Sequence, residues 1–313
     1  MGSAFDILLA GLVVFVALAT ILTRDDTGAV IAFVAYGLLS GLLWFRLAAP
    51  DVALTEAAVG TGISGGLLLS AATRLKGAET RPASDRPGVA TRVSAIVLCL
   101  IVSASLGWVV LILPDPAPTL APAAVASLPA VGLGNPVSAT LIAYRGVDTL
   151  LEAVALLLTL VGVWSLAPDK FWGGRPGWRS RRDPGSALTL LARVLIPPGV
   201  VIGLYIFWVG GEEPGGEFQG SAILGALWIL AMIAGLANPP AVSRKWLRLA
   251  LVLGPVTFMC VGFVGFAIAA GFLAYPSRFA KPLILVIEIA LVLSIATMLG
   301  MLVAGPPRRG KRP

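Results

Sequence analysis

Histidine is absent from the 313 residues, and cysteine occurs only twice, at Cys99 and Cys260. The first absence excludes haem ligation by imidazole, His-based metal sites and the usual protonation switch near neutral pH. The second leaves no CxxC pair to hold an iron–sulfur cluster or zinc, and both cysteines stand in apolar runs as small hydrophobes. Charge is scarce as well. Asp, Glu, Lys and Arg make up 12% of the chain against 58% hydrophobic residues, and the mean hydropathy is +0.93. That composition lies far outside the range of soluble domains. The expected fold class is therefore an all-α, polytopic membrane protein without a catalytic site or cofactor.

What is present is apolar runs of about 20 residues, the length that crosses about 30 Å of hydrocarbon as helix. They can be drawn at Phe5–Leu22, Ala29–Phe45, Asp51–Ala72, Val93–Leu113, Pro136–Leu166, Leu188–Val209, Gly216–Ala237, Leu247–Gly271 and Pro282–Ala304, which makes nine spans. A net charge of +7 would suggest nucleic acid in a soluble protein, but the placement of the basic residues points to the bilayer instead. Counting connections alternately from an external N-terminus, one side receives Arg24, the Arg74–Arg92 and Lys170–Arg193 clusters, Arg244–Arg248 and Arg308–Arg312. The other side has only Arg46, Arg278 and Lys281. By the positive-inside rule this predicts an external N-terminus, a cytoplasmic C-terminus and an odd number of spans. The first run has no Lys or Arg before Arg24, so it reads as a retained helix and not a cleaved signal.

Two basic, proline-containing linkers, Arg74–Arg92 and Leu166–Gly185, divide the chain into three, two and four spans. Trp172 and Trp178 lie among Lys and Arg as interfacial anchors do. The external stretch Pro114–Pro136, rich in Pro and Ala with Asp115 its only charge, is expected to run extended. No internal repeat is evident, which argues against a self-sufficient transporter of duplicated halves. Gly60, Gly62, Gly65 and Gly66 allow close helix packing, although membrane helices are rich in glycine in general.

Ionisable groups inside the apolar runs carry the functional signal, because a charge near the bilayer centre costs from about 2.5 to above 10 kcal/mol. The first block, Ala49–Gly60, starts with Pro50 and Asp51, which suit a first helical turn. Glu56, about 8 Å further along, has to be protonated, paired or hydrated, and Thr55 can add an oxygen to a cation site. The second block, Tyr144–Glu152, places Arg145, Asp148 and Glu152 at i, i+3 and i+7, with Thr149 beside them. If a helix starts at Asn135-Pro136, Glu152 lies about 24 Å below the entry, near the middle of the bilayer. Arg145 and Asp148 form a packing pair or part of a path; Glu152, with Asp148 one turn away, is the more isolated acid. The third block, Gly210–Ser221, has five glycines, Pro214 and the acids Glu212, Glu213 and Glu217 in a turn between spans. There the acids either keep a loop wet or line an entry, Glu217 lying closest to the apolar run. Glu288 is a fourth isolated acid, about 10 Å below Pro282. In the predicted orientation Glu56, Asp148, Glu217 and Glu288 enter from outside and Glu152 reaches the middle, outlining one outward-opening cation route.

These blocks resemble a known family in the same order. Ala49–Gly60 resembles the segment shared by the C-terminal part of the A subunit of Mrp-type multisubunit sodium/proton antiporters and the D subunit of membrane-bound, energy-converting hydrogenases. Tyr144–Glu152 resembles the E subunit of those hydrogenases, and Gly210–Ser221 with its four spans is similar to the Mrp B subunit. The resemblance implies three modules, residues 1–90, 91–187 and 188–313. It implies an accessory subunit in the bacterial or archaeal plasma membrane, with antiporter-like and other membrane subunits as partners. The pathway residues it implies are Glu56, Asp148 and Glu152; the reading of the apolar runs adds Glu217 and Glu288, with Asp51, Thr55, Arg145 and Thr149 in support and no bound metal beyond a transported Na⁺. The same membrane module driven by a hydrogenase or another reaction, and a non-conducting scaffold, are the alternatives. The chain departs from the pattern where Glu212-Glu213 replace His-Asn, Glu217 replaces a glycine and Ala143 replaces an acid.

Overall fold

The computed structural model describes residues 4–76, 88–114, 116–177 and 185–309. Among the described residues, eight helices are long and apolar enough to cross a membrane. The first four are α1 (Ala4–Leu22), α2 (Asp26–Arg46), α3 (Pro50–Thr73) and α4 (Val89–Ile112). Short helices follow: α5 (Ala121–Ala126), α6 (Leu128–Val131) and α7 (Pro136–Ala139). The remaining helices are α8 (Gly146–Ser165), α9 (Gly185–Val209), α10 (Glu217–Ile233), α11 (Lys245–Ile268) and α12 (Ala280–Ala304). The seventh expected span is α10, a helix of 17 residues that is apolar but shorter than the other eight. The fold is thus a multi-pass helical membrane protein. Its only strands among the described residues are β1 (Arg175–Pro176) and β2 (Pro307–Arg309), an antiparallel pair that ties the chain after α8 to the chain after α12.

Local sequence explains where the helices begin. The Asp25 carboxylate accepts the Gly28 amide at 2.7 Å and caps α2. Pro50 opens α3, and Asn135 caps α7, which begins at Pro136. Two expectations need correction. The run from Pro136 is not one helix: after α7 it widens into a π-helical turn, Thr140–Tyr144, and breaks at Arg145, where φ −129° and ψ 35° leave the helical region. The segment from Pro114 is not extended throughout but folds into α5 and α6, each with proline in its first turn. Within α3, Glu56–Ile63 is π-helical, a local widening that no sequence period foretold. Much of the first basic linker, together with Asp115 and Trp178, lies outside the described residues.

α12 is the central element. It packs along α10 and α11 and touches α8, and 61% of its apolar window is buried. Phe258 of α11, Ile142 of the π-turn and Ile284, Ile287, Leu291 and Ile295 of α12 are fully buried between these helices. A second cluster near the other end joins Leu160 and Trp164 of α8 to Leu247, Leu251, Met298 and Met301. α1 pairs with α2, α2 packs on α3, and the π-helical part of α3 meets α10. α4 differs from all of them, since none of its residues is buried.

Candidate functional site

A polar junction forms where the first and third sequence blocks meet the start of α7. Asn135 Nδ2 donates to the Asp51 carboxylate at 3.3 Å and to the carbonyls of Gly210 and Glu213 at 3.1 and 3.0 Å. Asn135 Oδ1 meanwhile accepts the Val137 amide, so one buried amide caps α7 and holds two distant segments. Asp51 also accepts the Gly215 amide at 3.0 Å. That turn needs glycine: Gly215 and Gly216 have φ of 148° and 140°, and a Cβ at Gly215 would collide with the Ile206 carbonyl. Gln219 Nε2 donates to Thr55 Oγ1 at 3.0 Å, and Ser138 Oγ donates to the Gly210 carbonyl at 2.5 Å. Asp51 and Thr55 are thus tied into a hydrogen-bonded joint.

Below the joint lie the acids that have no such partners. Glu217 opens α10 and Glu288 lies in the third turn of α12, and both are buried, at 3% and 5% exposure. They are near enough to interact electrostatically, and Glu217 interacts in the same way with Glu152 of α8. One oxygen of each, Oε1, has no hydrogen-bond partner among the described residues. Burying Glu217 and Glu288 as like charges is costly unless a proton or a cation accompanies them. Ser221 Oγ donates to the Glu217 carbonyl and, at 3.4 Å, to the Val292 carbonyl, linking α10 to α12 one turn from the acids.

The helix break at Arg145 re-sites the second block. Arg145 Nε donates to Asp148 Oδ2 at 2.6 Å, both side chains being exposed, so this pair stands apart from the buried acids. The expected stripe on one continuous helix is therefore corrected: Glu152 lies roughly 9 Å along α8 from its start at Gly146, and its side chain is exposed on this chain. Carbonyls freed by the break are satisfied by hydroxyls. Thr149 Oγ1 donates to the Leu141 carbonyl at 2.7 Å and Tyr275 Oη to that of Ile142 at 3.3 Å. Burial raises the Tyr275 phenol above its ordinary range, which keeps this donor protonated. Glu56 is half-buried, its carboxylate folded back toward Gly60 and facing Gly37 of α2, beside the buried Thr61 hydroxyl, which has no hydrogen-bond partner among the described residues.

Of the expected route, the fold brings Glu217 within electrostatic reach of Glu288 and of Glu152. Glu56 lies at the α2–α3 contact and Asp148 at the exposed ion pair. In sequence Asn135 reads only as a cap, and nothing singles out Ser138, Gln219 or Tyr275. Their hydrogen bonds span from 72 to 168 residues, and such separations leave no local spacing to detect.

Comparison with known proteins matches two segments to family models. Residues 11–77 match the MbhD model, which describes the D subunit of MBH, and residues 187–306 match the domain related to the MnhB subunit of Na⁺/H⁺ antiporter. No curated protein matches. Among solved structures, the fold is similar to the Mrp complex from Dietzia sp. DQ12-45-1b, with a TM-score of 0.76 and 22% identity over 100% of this chain. The chain spans only 36% of that relative's length. It is also similar to a chain of the membrane-bound sulfane sulfur reductase, an archaeal respiratory membrane complex, with a TM-score of 0.56 and 24% identity over 69% of this chain and 97% of that one. One polypeptide thus joins a segment that matches the MbhD model to a segment that matches the MnhB-related model, on a multi-pass helical fold shared with chains of the Mrp complex and of the sulfane sulfur reductase.

Proposed function

We propose that this chain is an accessory subunit of an Mrp-like cation/proton antiporter complex, built from modules at residues 1–90, 91–187 and 188–313. Its part is to carry H⁺ or Na⁺ past a group of intramembrane carboxylates. The observation that carries this reading is the set Glu152–Glu217–Glu288, two members of which are buried with an unpartnered oxygen each. Burying such a set costs folding energy that a purely structural role does not return. Glu56 with Thr61 forms a second acidic position, at the α2–α3 contact. Asp51, Thr55, Arg145, Asp148 and Thr149 hold the geometry through the bonds already described. Partner subunits fit the same picture, since α4 buries none of its residues within the chain and Glu152 is exposed on a membrane helix.

Membrane vesicles carrying Glu288→Gln or Glu152→Gln test the reading, because Gln keeps the size and removes the titration. Na⁺-driven proton movement should fall at least about ten-fold, the factor set by about 1.4 kcal/mol in a barrier. Unchanged transport in both variants would leave the chain as a scaffold. The MbhD match and the likeness to an archaeal respiratory complex favour a second reading, the same module driven by a separate redox reaction. Co-purification of redox subunits with the intact complex would select it.

A further inference from the structure

One cavity connects a charged surface to a buried acid. It has a volume of about 150 Å³ and is lined by Leu133, Trp208, Gly211, Glu212, Lys281, Leu285 and Glu288. Lys281, Leu285 and Glu288 are i, i+4 and i+7 on α12, so they form one stripe down its wall, with about 10 Å of helix between the first and the last. At the upper end Lys281 Nζ meets Glu212 Oε1 at 2.5 Å, and both side chains are more than half exposed. At the lower end Glu288 is 5% exposed and its Oε1 has no partner among the described residues. The space admits several waters, and three charged side chains are there to order them.

We propose that this cavity is an outward vestibule that delivers a small monovalent cation, H⁺ or Na⁺, to Glu288, and that the Glu212–Lys281 ion pair sets the charge of its mouth. The inference rests on the proposed role of the buried carboxylates and adds their entrance. A bare ammonium at the mouth repels cations, and at a separation of several ångströms in a partly solvated cleft that repulsion changes the local cation concentration several-fold. Glu212 neutralises it, which leaves the Glu288 carboxyl as the group that decides which ion is attracted. The two ends have different tasks: the ion pair governs access, and Glu288 receives the ion.

The test uses the full chain in right-side-out membrane vesicles, with Cys99 and Cys260 replaced by Ser and a single new thiol at Leu285→Cys. Leu133→Cys, a lining residue from the segment before α7, is a second reporter should the first fail to accumulate. Added outside, a membrane-impermeant cationic methanethiosulfonate should modify either thiol. Glu212→Gln, which leaves Lys281 unpaired, should lower its rate relative to a neutral reagent of similar size by roughly five-fold. Adding Lys281→Met to that variant should restore the ratio. Protection by Na⁺ over choline identifies sodium as the ion that reaches Glu288; labelling indifferent to Na⁺ identifies the proton. Unreactive thiols at both positions, or a ratio that Glu212→Gln leaves unchanged, would overturn the vestibule even if Glu288→Gln abolishes transport. Labelling as expected with normal transport in Glu288→Gln would instead overturn the carboxylate pathway.

Discussion

At the scale of single residues, Asn135 does more structural work than any of the acids the sequence advertises. Its side chain caps α7 and donates to Asp51, Gly210 and Glu213, so three stretches of chain depend on one amide. Asn135→Ala should destabilise the protein by about 2–4 kcal/mol, combining a lost cap with buried acceptors left unpaired. Unfolding measured by steric trapping in bicelles checks this, and Asn135→Asp should rescue little, because it restores the cap but sets a second carboxylate against Asp51. The acids themselves are legible in the sequence, since Glu56, Glu152 and Glu288 stand out in apolar runs. Their grouping is not: Glu152, Glu217 and Glu288 sit on three helices, and only packing puts them within electrostatic reach.

At the scale of elements, the hairpin of α9 and α10 depends on close approach. A Cβ at Gly220 would lie 2.7 Å from Phe207 Cβ and 2.9 Å from the Gly203 carbonyl, with backbone on the far side, so neither helix can yield cheaply. Gly220→Ala should therefore cost about 1–3 kcal/mol by overpacking, seen as a lower thermal midpoint in detergent. Hydropathy located the long helices because a bilayer demands about 20 apolar residues of each one. It did not locate the π-helical segments at Glu56–Ile63 and Thr140–Tyr144. One extra residue in a turn leaves the composition unchanged, and the hydroxyls of Thr149 and Tyr275 that stabilise the second widening come from eight residues away and from another part of the fold.

For the whole molecule, charge asymmetry predicts an external N-terminus and a cytoplasmic C-terminus, with Glu212 and Lys281 facing outward. Fluorescent-protein and alkaline-phosphatase fusions at the C-terminus check it: the first should be active and the second silent. The reverse result would turn the vestibule toward the cytoplasm.

The sequence alone determined that the chain is a helical membrane protein, which ends of its helices are polar and which acids are out of place in lipid, because hydrophobicity and charge are local properties readable residue by residue. Tertiary structure decided which of those acids share one site, that Asp51 is bound to Asn135 and Gly215, and that a cavity leads to Glu288. Those are distances between segments up to 168 residues apart, and helix packing sets them, not the order of the residues along the chain.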